Sequence, residues 1–308
     1  MKVWIAHEEG RELLGELPDR IEIEVCPDAE HLPSDPADVR FWVPPFLATA
    51  QVTDILPKFT GLRVIQLLSA GADVWIGRVP AGVLLFDARG VHDAPVAEWV
   101  IGAVVGALRQ FPAFVRAQER EEWAYSSFTP TAELTGARVM IVGAGSIGHA
   151  IERHMAPFGV TVTRVARTAR PAEDVHAVEE LPDLLPYADV VVLVVPLTEQ
   201  TRGLVDARFL AAMPDGALLV NAARGPVVDT EALVAELATG RISAALDVTE
   251  PEPLPAGHPL WRLPNLFLTP HIAGSVRGLL PRAYRLVGDQ ARRFVAGEPL
   301  INQVVGGY

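Results

Sequence analysis

Between Ala137 and Met155 the chain reads A-R-V-M-I-V-G-A-G-S-I-G-H-A-I-E-R-H-M. Val139 to Val142 is a short continuous apolar run rich in β-branched residues, the pattern of a buried strand. Gly143, Gly145 and Gly148 follow at the G-x-G-x-x-G spacing. Ile147, Ile151 and Met155 then recur at helical spacing, so a helix begins inside the glycine run. Strand before and helix after is the context that makes this spacing a dinucleotide-binding fingerprint. Gly143 permits the tight turn, Gly145 lets backbone approach a pyrophosphate, and Gly148 lets the helix lie close to the strand. The N–H groups at the helix start, from Ser146 and Ile147, favour the phosphate charge. The same residues also fit a plain strand-to-helix turn with no ligand.

The rest of the chain suits a core of that size. It has 308 residues, half of them hydrophobic and about a fifth charged, enough for one large domain or two ordinary ones. The net charge of −12 and the lack of any basic run argue against a nucleic-acid surface. Cys26 is the single cysteine, which rules out an internal disulfide and a cysteine-based zinc site. The start, M-K-V-W-I-A-H-E-E-G, lacks a signal peptide's apolar core. No stretch approaches the roughly 18 apolar residues of a membrane span. A cytoplasmic protein without a membrane partner is therefore expected.

Upstream of the fingerprint, strands are expected at 2–6, 21–26, 39–43, 62–68 and 83–87, with helices at 11–17 and 49–59. Strands alternating with helices indicate an α/β unit with a parallel sheet, here over residues 1 to about 97. A long apolar helix is expected over 94–109, with Pro95 near its start. A polar and aromatic connector holding Trp123, Tyr125 and Phe128 follows. Beyond the fingerprint, strands are expected at 160–165, 190–195, 217–221, 242–248 and 266–269. Helices are expected at 181–188, 207–213 and 230–240. The count suits a Rossmann-type sheet over about 98–277. A final amphipathic helix, 279–295, returns to the first domain. The fold class is thus α/β, with two parallel-sheet domains and a cleft between them.

In such sheets ligands bind beyond the carboxyl ends of the strands. Asn221-Ala222-Ala223-Arg224-Gly225 follows one strand end, Asp247-Val248-Thr249-Glu250-Pro251-Glu252-Pro253 another, and Pro270-His271-Ile272-Ala273-Gly274 the last. Together with V-G-A-G-S-I-G, the motifs N-A-A-R-G-P-V-V-D, D-V-T-E-P-E-P-L-P and T-P-H-I-A-G occur in that order. In this the chain resembles the D-isomer-specific 2-hydroxyacid dehydrogenase family over almost its whole length. The short length and the segment R-G-V-H-D-A-P-V-A-E-W look most like the glyoxylate and hydroxypyruvate reductase branch.

The resemblance implies an NAD(P)-dependent enzyme with Arg224, Glu252 and His271 as its catalytic set. It implies a place for Asp247 near the nicotinamide amide, with Pro196 also on the cofactor side. It places the backbone of Ala70, Gly71 and Ala72 against the substrate carboxylate, where small residues permit an anion-binding concavity. The chemistry agrees. Reducing a 2-oxo acid to the D-2-hydroxy acid needs a hydride at the carbonyl carbon and a proton at its oxygen. An imidazole titrates near working pH, so His271 suits the proton donor, and a carboxylate such as Glu252 favours its charged form. The fork of Arg224 suits a substrate carboxylate. Taken singly, each of these residues reads as an ordinary loop side chain. The rival readings are a nicotinamide-sensing regulatory protein of the same fold and a formate- or phosphite-type dehydrogenase.

An NAD-binding fingerprint usually has an acidic residue about 20 positions on. Here Ala166 takes that place, and no carboxylate appears before Glu173. Arg167, Thr168 and Arg170 suit a ribose 2′-phosphate instead, so NADP(H) is expected over NAD(H). No metal site is expected, since the histidines lack metal-like partners. Trp42, Trp75 and Trp123 read as core or interface, with a place beside the substrate left open. The family resemblance implies a homodimer, for which the 94–109 helix is a candidate surface.

Overall fold

The structure is a computed structural model that describes residues 1–46 and 50–305. It divides into two compact units, Met1–His92 with Val276–Tyr308, and Asp93–Ser275.

In the first unit, short apolar runs form β1 (Lys2–Ile5), β2 (Glu22–Val25), β3 (Val39–Trp42), β4 (Val64–Gln66) and β5 (Leu84–Phe86). Their order is β2-β1-β3-β4-β5 and every pairing is parallel. The strands are shorter than their apolar runs, because the flanking residues close turns instead. Helix α1 (Gly10–Leu13) stops early, and Gly15 at φ +71 follows it. The helix expected over 49–59 is a 3-10 run, Ala50–Lys58, with Pro57 inside it, while Thr49 lies outside the described residues. A proline lacks the N–H that an α-helical bond needs there. After β4, the Ser69 hydroxyl donates to the Gly71 carbonyl at 2.8 Å and Ala88 N–H donates to the Ser69 carbonyl at 2.9 Å. These bonds shape the turn carrying Ala70, Gly71 and Ala72. Trp42 and Trp75 are buried, ring against ring at 5.5 Å, in the unit's apolar core.

The second unit opens with α2 (Asp93–Leu108), α3 (Phe111–Glu119) and the single turn α4 (Tyr125–Phe128). The connector expected after residue 116 is thus partly helical. Then come β6 (Arg138–Val142), α5 (Ser146–Met155), β7 (Thr161–Ala166), β8 (Val175–Ala177), α6 (Leu181–Leu184) and β9 (Val190–Leu193). The unit ends with α7 (Ala207–Ala212), β10 (Leu218–Asn221), α8 (Thr230–Ala238), β11 (Ser243–Leu246) and β12 (Leu266–Leu268). The seven strands are all parallel, in the order β12-β11-β10-β9-β6-β7-β8. Counted from β6, this is the doubly wound order, with the chain reversing direction between β6 and β9.

Alternation along each strand builds the two faces. Val139 and Ile141 of β6 pack with Val100, Val104, Ile151 and Met155 of α2 and α5. Met140 and Val142 point the other way, into a core with Phe209, Leu210, Leu233 and Leu237 of α7 and α8. Strands covered on both faces read as unbroken apolar runs, as V-V-V-L in β9 does. Among the described residues no single helix is long and apolar enough to cross a membrane.

Helix α9 (Leu279–Ala296) returns the chain to the first unit and buries Ala283, Tyr284, Val287 and Ala291 there. Burial pushes the Tyr284 phenol up to about 12, and its oxygen accepts the His7 N–H at 3.0 Å. The last described residues extend the β5 edge, with Val304 N–H donating to the Leu85 carbonyl at 2.9 Å.

The fingerprint makes a quantitative demand on this packing. A Cβ on Gly148 would lie 2.1 Å from the Gly143 carbonyl oxygen, which is backbone and cannot swing aside. Alanine favours a helix by about 1 kcal/mol over glycine, but overpacking costs roughly 1–3 kcal/mol. Gly148→Ala is expected to lower the urea midpoint of the second unit. A raised midpoint would show that helix and strand do not need that approach.

Candidate active site of the second unit

Three neighbouring strands, β10, β11 and β12, end side by side, which puts their carboxyl ends within about 10 Å of one another. Arg224 follows β10, Asp247 and Glu252 follow β11, and His271 follows β12. The sequence therefore delivers its unusual polar residues to one edge of one sheet.

Asp247 is buried and holds the last of these loops. Its Oδ1 accepts the Thr269 hydroxyl at 2.6 Å and the Ile272 N–H at 2.8 Å, and its Oδ2 accepts the Ala273 N–H at 2.9 Å. The Trp99 indole, which can only donate, donates to Thr269 Oγ1 at 3.0 Å. The hydroxyl must then pass its own proton to Asp247, so the chain Trp99, Thr269, Asp247 has one direction. The Asp247 carbonyl also accepts the His271 N–H at 2.7 Å. These bonds hold His271 at φ +55, a left-handed conformation that costs a non-glycine residue energy.

The His271 ring meets Glu252. Nδ1 lies 2.7 Å from Glu252 Oε1, and because a carboxylate only accepts, Nδ1 carries the proton of that bond. Nε2 is left as the ring atom available to a substrate. With Glu252 about 41% exposed, the pair adds no more than about 1 kcal/mol to stability, so its geometry matters more than its strength.

Arg224 reaches the same edge through a close backbone contact. A Cβ on Gly225 would lie 1.9 Å from the Thr249 carbonyl oxygen, so the loop after β10 presses on the loop after β11. The Thr230 hydroxyl donates to the Glu250 carbonyl at 2.8 Å and ties the two again. Asn221 shapes the turn, donating to the Arg224 carbonyl at 3.0 Å and accepting the Ala223 N–H at 3.0 Å. The half-buried Arg224 side chain donates to the Ala223 carbonyl at 2.7 Å. Thus Glu252 and His271 are in direct contact, and Arg224 is brought to their loop through Gly225.

Thr269, Trp99, Asn221 and Gly225 were not singled out from the sequence for these contacts. Thr269 stands two residues before His271 and Asn221 three before Arg224, so the motifs contained them. Nothing in the sequence marks Trp99, which acts from a helix some 170 residues away.

The residues around α5 fit a dinucleotide. Gly143 has φ +123, and a Cβ there would lie 2.5 Å from the Val194 carbonyl, so the loop after β9 closes directly on it. Gly145, by contrast, faces open space within 4 Å of a built Cβ. The first turn of α5 has no acidic side chain and no side-chain cap, leaving the N–H groups of Ser146, Ile147 and Gly148 to an anion. Pro196 is exposed beyond β9, and Arg167 and Thr168 are exposed beyond β7. Arg170 is half-buried and its Nη2 donates to the Ala144 carbonyl at 2.9 Å. Among the described residues no cluster of three or more metal-ligating side chains occurs.

Because the Asp247 carboxylate accepts two backbone N–H groups, an amide in its place would turn a donor toward at least one of them. Asp247→Asn is expected to cost about 2–3 kcal/mol of stability, from lost charge-assisted bonds and an orphaned N–H. Urea unfolding of the variant measures this. A wild-type midpoint would show that the carboxylate does not hold the His271 loop.

Comparison with known proteins supplies the class. The family model for the D-isomer specific 2-hydroxyacid dehydrogenase, NAD binding domain, matches residues 101–273. Glyoxylate/hydroxypyruvate reductase A of Arabidopsis thaliana is 32% identical over 262 residues, covering 84% of this chain and 82% of that protein. D-3-phosphoglycerate dehydrogenase of Methanocaldococcus jannaschii is 30% identical over 263 residues, 83% of this chain, and the match spans 50% of that protein. The D-isomer specific 2-hydroxyacid dehydrogenase of Xanthobacter autotrophicus Py2, solved with NADPH and MES, superposes with a TM-score of 0.84 at 32% identity over 99% of both chains. The chain therefore belongs to the D-isomer-specific 2-hydroxyacid dehydrogenase family and is an oxidoreductase with an NAD-binding domain.

Proposed function

We propose that this protein reduces a small 2-oxo acid of the glyoxylate or hydroxypyruvate type to the D-2-hydroxy acid, with NADPH preferred over NADH. The observation that carries the reading is the 2.7 Å contact between His271 Nδ1 and Glu252 Oε1. It orients the ring and leaves Nε2–H to protonate a carbonyl oxygen. A sensor of nicotinamide has no use for such a donor. When bound, the reduced nicotinamide supplies the hydride. Arg224 holds the substrate carboxylate through its guanidinium fork and polarises the carbonyl. In the first unit, the backbone of Ala70, Gly71 and Ala72 is the candidate carboxylate contact. Gly143, Gly145, Ser146, Ile147 and Gly148 receive the pyrophosphate, and Pro196 and Asp247 lie toward the nicotinamide.

The cofactor preference rests on charge. The strand β7 ends at Ala166, where a carboxylate would otherwise bond the ribose hydroxyls. Arg167, Thr168 and Arg170 follow at once, and Arg170 is anchored on the glycine loop. The relative from Xanthobacter autotrophicus was solved with NADPH.

A homodimer completes the proposal. The second unit exposes Phe111, Val115 and Tyr125 and leaves Trp123 96% exposed. Large apolar side chains gathered on one segment mark an interaction surface, and a second copy of the chain is the proposed occupant.

Removing a general acid costs about 10²- to 10⁴-fold in rate. His271→Ala and Arg224→Ala are each expected to lose 2-oxo acid reduction by at least the lower figure while NADPH still quenches tryptophan fluorescence. Wild-type turnover in either variant, or a higher kcat/KM with NADH than with NADPH, would remove that part of the assignment. In sedimentation velocity the wild type should run as a dimer and Trp123→Glu as a monomer. A monomeric wild type would remove the dimer.

A further inference from the structure

The loop after β7 folds back on itself. Arg170 N–H donates to the Val175 carbonyl at 2.8 Å, and Val175 N–H returns to the Arg170 carbonyl at 3.2 Å. Asp174 takes φ +56 to close the turn, which leaves Glu173 three residues after Arg170. The Arg164 guanidinium fastens the turn from behind, donating to the Glu173 carbonyl while it pairs with Glu152 at 3.4 Å. The backbone of Glu173 is therefore held in place by hydrogen bonds on both sides of the turn.

Arg170 stands between two acceptors. Nη2 donates to the Ala144 carbonyl at 2.9 Å, inside the fingerprint itself. Nε lies 3.1 Å from Glu173 Oε2, close enough for an ion pair. Yet this buried N–H makes no hydrogen bond among the described residues, because the carboxylate lies off its donor direction. A buried donor facing a misaligned carboxylate is a poorly satisfied group. A phosphate carries more oxygens and more charge and satisfies a guanidinium better.

We propose that Glu173 is a built-in competitor for the 2′-phosphate subsite: its carboxylate occupies Arg170 in the free protein and gives it up to the phosphate of NADPH, which sets the ratio of NADPH to NADH use. The inference rests on the NADP preference proposed above. NADH has no 2′-phosphate to displace the carboxylate, so Glu173 leaves that cofactor's binding nearly untouched. Glu173 is a specificity-determining residue in this scheme and takes no part in the chemical step.

Calorimetric titration of the full chain with 2′,5′-ADP and with 5′-AMP tests this without turnover. The wild type should bind 2′,5′-ADP more tightly than 5′-AMP. Removing an exposed competing ion pair is worth about a two- to fivefold gain, so Glu173→Gln and Glu173→Ser should each tighten 2′,5′-ADP by that factor and leave 5′-AMP unchanged. Arg170→Gln should narrow the preference, with Arg167 and Thr168 still in place. If the wild type discriminates but neither Glu173 variant tightens 2′,5′-ADP, the competitor role is overturned and the cofactor reading stands. Weaker 5′-AMP binding by Glu173→Gln also overturns it, because Glu173 would then be holding ribose hydroxyls. Equal binding of the two nucleotides by the wild type overturns the cofactor reading, and the inference with it.

Discussion

A buried carboxylate holds together the loops at the carboxyl ends of the second unit's strands. Asp247 accepts two backbone N–H groups and a hydroxyl, all from residues 269 to 273. Without those acceptors, the chain around His271 would have no reason to adopt a left-handed turn. With them, the imidazole is delivered to Glu252 at 2.7 Å through Nδ1. Charge-assisted bonds of this kind are among the stronger polar contacts a protein makes. Here that strength is spent on placing one ring.

The neighbouring loops are placed by contact between backbones. Gly225 lets the loop of Arg224 press against Thr249, and Gly143 lets the loop after β9 press against the fingerprint. Both contacts occur at carboxyl ends of parallel strands, and the second lies at the reversal between β6 and β9, where a doubly wound order opens a crevice. The sheet thus brings the His271–Glu252 pair, the Arg224 loop and a helix start without a side-chain cap to one side of one unit. Arg170 bridges the glycine loop and the turn after β7.

Much of this was legible in the sequence, for identifiable reasons. The fingerprint declares a strand, a turn and a helix within nineteen residues, and β6 and α5 lie where those patterns put them. His271 and Glu252 were legible as complementary groups at successive strand ends. What escaped is what depends on distant partners. The Trp99 contact with Thr269 joins a helix and a loop 170 residues apart. Helix α3 was hidden because the chain breaks at Gln110, a non-glycine residue at φ +58, and resumes as a helix with Pro112 in its first turn. Strand β8 has three residues, too few for any alternation to register. The 3-10 run at Ala50–Lys58 carries a helical pattern that Pro57 keeps from becoming an α-helix.

The central claim is that His271 and Arg224 receive the reacting end of a 2-oxo acid. A crystal structure with NADPH and the unreactive analogue oxamate tests it most directly. The account predicts the analogue's amide oxygen within hydrogen-bond distance of His271 Nε2 and its carboxylate on the Arg224 guanidinium. An analogue bound elsewhere, or a His271 ring turned away from Glu252 in that complex, would contradict it.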